Sequence, residues 1–244
     1  MVLDRFESLV FVGDRSLQTI YSGFNILLRQ DLSTGAMQTR HVDGDALVEC
    51  HCDNQFLKPT CSKHFVTSSD DISQGAGGSG GNDARSRYAC NRTPHNFLSL
   101  TAAPASGEIL SKFKEKVPRV PKSNYKPVPI IYSLSPSTAS QEMTAITLHK
   151  FVELAEDSRR KTPSLWIGPS AAGHIEIKNR KGNQEIWDFD KHMETEAQAS
   201  GIEVLKMWNM TVQADSWDGI GFGEKVAITQ AMMLINWLSR LESS

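Results

Sequence analysis

From residue 128 onward, short apolar runs alternate with long amphipathic stretches, and this alternation limits the fold more than any other feature of the chain. "VPIIYSL" (128–134) reads as a buried strand. "SQEMTAITLHKFVELAEDS" (140–158) reads as a helix, with apolar residues near 143, 146, 148, 151, 152 and 154. "SLWIG" (164–168) is a strand, "NQEIWDFDKHMETEAQA" (183–199) a helix capped by Asn183, and "IEVLKMW" (202–208) a strand. "GEKVAITQAMMLINWLSRL" (223–241) is a closing helix. Strands this uniformly apolar are buried on both faces, and each intervening helix is long enough for a crossover. The pattern predicts an α/β fold of three layers, α/β/α, with a mainly parallel sheet.

The first half is less regular. Residues 5–12 predict a strand and 15–30 an amphipathic helix, joined by Gly13-Asp14, with Asp14 as N-cap. The apolar Ala46-Leu47-Val48 predicts a strand over 46–52, and 96–102 another. A short helix over 107–117 ends at Pro118, before the proline-punctuated linker "VPRVPKSNYKPVP". "SSDDISQGAGGSGGNDARS" (68–86) marks a flexible insertion at about 67–88 and lacks the Gly-Lys-Ser/Thr of a phosphate loop. With 244 residues and no visible repeat, the expectation is one domain over 1–244.

A net charge of −2, with no basic stripe interleaved with aromatics, argues against nucleic acid as a partner. No apolar run approaches the roughly 18 residues of a membrane span, so membrane association is expected only through a segment absent from this chain. The N-terminal "MVLDRFESLV" does not have the pattern of a signal peptide. All four cysteines, Cys50, Cys52, Cys61 and Cys90, fall in a loop region at 50–90. That clustering fits disulfides; free thiols are a second reading. Zinc, with the interleaved His51, His64 and His95, is a third, although C-x-C then C-x-x-H is not a standard zinc spacing. Sequons at Asn91 and Asn209, with the cysteines, point to the lumen of the secretory pathway (Golgi-like) or the extracellular space, with the cytoplasm as the alternative.

In a parallel sheet of this kind, ligands bind outside the carboxyl ends of the strands. Three segments reach that edge: Gly13 to Ser16, Gly168 to His174, and Asn209 to Phe222. Gly13-Asp14 after the first strand, "WIGPSA" after a later one and "SWDGIGFGEKVAITQAMM" before the last helix resemble the SGNH/GDSL hydrolase superfamily. Within it the chain looks like the PC-esterase branch, and more closely like the fungal relatives of the luminal domain of capsule and sialate O-acetyltransferases. The most specific stretch is "GNQEIWDFDKHM…IEVLKMWNMTVQADSWDG" (182–219). The resemblance is good over 128–244, fair over 8–30 and poor over 31–127.

The resemblance implies a serine nucleophile directly after Gly-Asp, and a D-x-x-H motif near the C-terminus supplying the orienting acid and the base. It implies no cofactor and no metal, and a glycan or small acylated molecule as substrate; the oligomeric state stays open. Asp14, Gly168 and Asp218 fit that pattern. Arg15 stands where the serine belongs, and Gly221 where the histidine belongs. The usual Gly-x-Asn block reads Gly168-Pro169-Ser170, which replaces an amide donor to the oxyanion with a hydroxyl. Two readings follow. In one, the domain is degenerate, binding carbohydrate or a partner protein with acyl transfer lost or weak. In the other, it is an active O-acetyltransferase or acetylesterase, with Ser16 as nucleophile, His174 as base and Asp218 as acid. In both, Asp14, Arg15, Gly168, Ser170, Asn209 and Trp217 line the pocket, and the remaining tryptophans are mostly core.

Overall fold

A computed structural model describes residues 2–38, 44–73, 94–121, 125–172, 182–214 and 221–241. Five strands form one sheet: β1 (Leu9–Gly13), β2 (His95–Ser99), β3 (Ile130–Ser133), β4 (Ser164–Ile167) and β5 (Glu203–Leu205). Their order is β2-β1-β3-β4-β5, and every neighbouring pair is parallel. The helices are α1 (Arg15–Arg29), α2 (Gly44–Glu49), α3 (Asn54–Leu57), α4 (Asp70–Ser73), α5 (Gly107–Lys116), α6 (Gln141–Asp157), α7 (Asn183–Ala199), α8 (Trp208–Thr211) and α9 (Glu224–Arg240).

The strands alternate their side chains between two cores, which makes the protein three-layered. Val10 and Val12 of β1, Ile130 and Tyr132 of β3 and Trp166 of β4 meet Phe113 of α5, Leu148 and Phe151 of α6, and Phe189 and Met193 of α7. On the opposite face, Leu9, Phe11, Ile131, Leu165 and Ile167 meet Leu17, Tyr21 and Phe24 of α1 and Leu234 and Trp237 of α9. Each such side chain contributes roughly 1.5–3 kcal/mol on burial. A third, smaller cluster joins Ile26 and Ala227 to Met37, Phe56, Phe65 and the cysteines of the 44–65 segment.

Several expectations need correction. Residues 46–52 hold no strand: α2 covers Gly44–Glu49. Ala46-Leu47-Val48 is an apolar triplet without alternation, Val48 is 78% exposed, and Asp45 in the first turn favours the helix. The last strand is only three residues long, and Trp208 already begins α8. The N-cap of α7 is Gly182; Asn183 is its first helical residue. Of the stretch expected as a flexible insertion at about 67–88, Ser68 bridges Asn96 of β2 and α4 covers Asp70–Ser73, while 74–93 lies outside the described residues. Trp187 and Trp208 are half-buried and meet edge to face at 4.8 Å, so they are not core. In the sheet, β3 and β4 lie between β1 and β5.

Cys50 and Cys61 form a disulfide, and Cys52 carries a free thiol. The disulfide takes two of the sulfurs a zinc site would need, and His95 is committed to Tyr21 in the core. Cys90 and Asn91 lie outside the described residues.

Candidate functional site

Strand order 2-1-3-4-5 places the topological switch point between β1 and β3, where the chain leaves for opposite faces of the sheet and a crevice opens at the carboxyl ends. The residue closing β1 there is Gly13. A Cβ on it would run into the carbonyl oxygen of Ser133 and stand 2.8 Å from the Leu17 side chain, so only glycine lets β1, β3 and α1 approach this closely.

Asp14 follows in extended conformation and caps α1. Asp14 is buried, 3% exposed, at this switch point. Oδ1 accepts from the Ser16 N–H at 3.0 Å and from the Ser16 hydroxyl at 2.5 Å. Oδ2 accepts from the Ser135 N–H at 2.7 Å, the Ser135 hydroxyl at 2.5 Å and the Thr138 hydroxyl at 2.7 Å. Ser137 extends the cluster through a 2.7 Å bond to Ser135 Oγ. These five donors stitch the start of α1 to the loop between β3 and α6. Arg15 is exposed on the first turn, and Ser16 is half-buried with its hydroxyl proton directed at Asp14.

The carboxyl end of β4 lies two strands from β1, about 10 Å across the sheet. Gly168 is needed there because a Cβ would collide with the Asp190 carboxylate of α7. Asp190 is 1% exposed, and its Oδ1 has no hydrogen-bond partner among the described residues. Burial, reinforced by Glu194, pushes its carboxyl up to about 6, with Lys206 and Lys191 opposing. Ser170 Oγ accepts from Gln230 Nε2 of α9 at 3.0 Å, the Ala171 N–H donates to Thr211 Oγ1 at 2.8 Å, and the Ala172 N–H donates to Asn183 Oδ1 at 2.8 Å. The loop after β4 is thus tied to α7, α8 and α9.

Asn209 is exposed on α8. Gly221 precedes Phe222 and Gly223 at the entry to α9. That helix is capped from a distant segment: Asp53 Oδ1 accepts from the Glu224 N–H at 2.7 Å. A Cβ on Gly223 would stand 2.6 Å from the same oxygen. His174, Trp217 and Asp218 lie outside the described residues.

Asp14, Arg15 and Ser16 therefore share one end of the sheet with Gly168 and Ser170. Sequence reasoning missed Ser135, Thr138, Asp190, Gln230 and Asp53. For the first two a signal existed: "SLSPSTAS" is a run of hydroxyls directly after a buried strand. Gln230, 2% exposed among the apolar residues of α9, was a polar anomaly of the same kind.

No family model matches the sequence, and no curated protein matches it either. Among solved structures the chain is similar to Est24, a carbohydrate acetylesterase from Sinorhizobium meliloti (11% identity, 97% of this chain and 100% of that chain, TM-score 0.48). It is also similar to the aryl esterase of M. smegmatis (11% identity, 96% and 100%, TM-score 0.49). A third is a member of the lipolytic protein G-D-S-L family from Veillonella parvula (12% identity, 96% and 99%, TM-score 0.46). The protein itself is a doubly wound α/β domain whose switch-point crevice is occupied by a carboxylate ringed with hydroxyls.

Proposed function

We propose that this chain is a degenerate SGNH/GDSL-like domain that binds an acylated carbohydrate or a partner protein through its sheet edge and no longer transfers acyl groups from a serine there. The observation that carries the reading is the Asp14 cluster. A serine nucleophile needs its hydroxyl hydrogen-bonded to an imidazole that can take the proton. The Ser16 hydroxyl instead donates at 2.5 Å to a carboxylate that already holds four other donors. This is a capping role, and among the described residues it leaves the Ser16 oxygen without an imidazole base. Arg15, one residue earlier, offers no nucleophile. The disulfide and the glycan-type chemistry together favour a secretory or extracellular setting. No helix among the described residues is long and apolar enough to cross a membrane.

Hydrolysis of p-nitrophenyl acetate tests the reading. Ser16→Ala and His174→Ala are expected to leave the wild-type rate unchanged, whereas Arg15→Ser combined with Gly221→His is expected to raise it. A rate lost in both single variants would establish Ser16 and His174 as a working pair and overturn the proposal.

A further inference from the structure

The sequon Asn209-Met210-Thr211 falls on the single turn of α8, and the fold pulls its two chemical ends apart. Asn209 is exposed, whereas Thr211 is fully buried. Trp208, directly before Asn209, meets Trp187 of α7 edge to face at 4.8 Å, and both indoles are half-buried, so an aromatic surface borders the sequon. We propose that Asn209 is an N-glycosylation site and that the first sugar of its glycan rests on the Trp187–Trp208 pair. This modification rests on the secretory setting proposed for the chain and is independent of the role given to the Asp14 crevice.

The acceptor chemistry is complete. An asparagine to be glycosylated needs a hydroxyl residue two positions later and no proline between, and Met210 and Thr211 meet both conditions. The disulfide between Cys50 and Cys61 fits the oxidising compartment in which such transfer takes place. In the folded protein the Thr211 hydroxyl is spent: it donates to the Met207 carbonyl at 2.8 Å and accepts from the Ala171 N–H at 2.8 Å. Transfer therefore precedes the docking of α8 against the loop after β4, and folding then leaves Asn209 on the outside.

The fold has room for the product. Helix α8 follows β5, the edge strand, three positions from β1, which is roughly 14 Å across the sheet. A glycan at Asn209 flanks the crevice without filling it. The aromatic pair gives its first sugar a seat. The face of an indole is electron-rich, and the C–H groups on one side of a pyranose ring carry slight positive charge, so the two pack as an aromatic edge packs on a face. The Trp187 ring already holds the exposed Lys191 by a related attraction, with Nζ 5.1 Å from its centroid.

The step is balanced. The co-reactant is an oligosaccharide activated as a diphosphate ester, brought by a separate transferase. Asn209 Nδ2 forms a bond to the anomeric carbon and gives up one proton. The bond from that carbon to the diphosphate oxygen breaks, and the diphosphate leaves with the electron pair.

Peptide mapping by mass spectrometry of the chain purified from its native cells tests this. Digestion with peptide N-glycosidase in heavy-oxygen water is expected to turn Asn209 into a labelled aspartate in wild type and in Thr211→Ser, with the label lost in Asn209→Gln. Thermal unfolding reads the seat of the sugar: glycosylated wild type is expected to unfold several degrees above the same chain after enzymatic deglycosylation, and Trp187→Ala to abolish that difference. Equal Tm values for the two wild-type forms would overturn the seat on the indoles. An unmodified Asn209 would overturn the proposal as a whole, as would a glycan confined to Asn91. Thiol alkylation of the same sample separates this failure from that of the secretory reading. With Cys50 and Cys61 still joined, the setting stands and the glycan alone fails; with both thiols free, the two fail together.

Discussion

Asp190 and His95 are two buried titratable groups whose charge states the core controls, and burial moves them in opposite directions. Asp190 sits against Gly168 with its carboxyl raised to about 6 from an ordinary 3.8. Between those values the unfolded chain releases a proton that the folded one keeps, so the contribution to stability falls as pH rises through the window and stays lost above it. Asp190→Asn is therefore expected to be more stable than wild type at pH 7–8 by about 2–3 kcal/mol, and equal to it below pH 4. Urea unfolding at both pH values checks this, and no gain at neutral pH would contradict it. His95 is held by Tyr21 at 2.7 Å, and burial lowers it from 6.5 to about 4. Here the unfolded chain takes up the proton first, so stability is lost as pH falls from 6.5 toward 4. Relative to His95→Gln, wild type is expected to lose about 3 kcal/mol across that window; a constant difference would mean that His95 does not stay neutral.

At the scale of elements, α1 and α9 pack with their backbones close together. A Cβ on Gly23 would collide with the carbonyl of Ala227, so Gly23→Ala must push two backbones apart. The expected cost is about 1–3 kcal/mol, seen as a Tm lower by several degrees in thermal unfolding; an unchanged Tm would show that the helices separate without strain. Much of this level was legible in the sequence. The helices 141–157, 183–199 and 224–240 follow apolar periodicity, and Asp14 announced itself as a cap. The failures have physical causes. Ala46-Leu47-Val48 offered hydrophobicity without a period, and Trp208 sits where a strand-like apolar run gives way to a single turn of helix. Ser135 and Thr138 acquire their meaning only from Asp14, more than 120 residues away, a pairing that no local pattern encodes.

For the whole molecule, the doubly wound sheet sets up a crevice at its switch point, and the residues there decide what it does. The site was only partly legible. The substitutions at 15 and 221 were readable as departures from a family pattern, but the fate of Ser16 depended on where its hydroxyl points. It points to Asp14, within a network that binds α1 to the β3–α6 loop and spends the hydroxyl on structure. A fluorophosphonate, which phosphonylates serines activated for attack, tests this most directly by intact-mass analysis and peptide mapping of the wild-type chain. The account predicts no adduct on Ser16. Stoichiometric phosphonylation at Ser16 would contradict it.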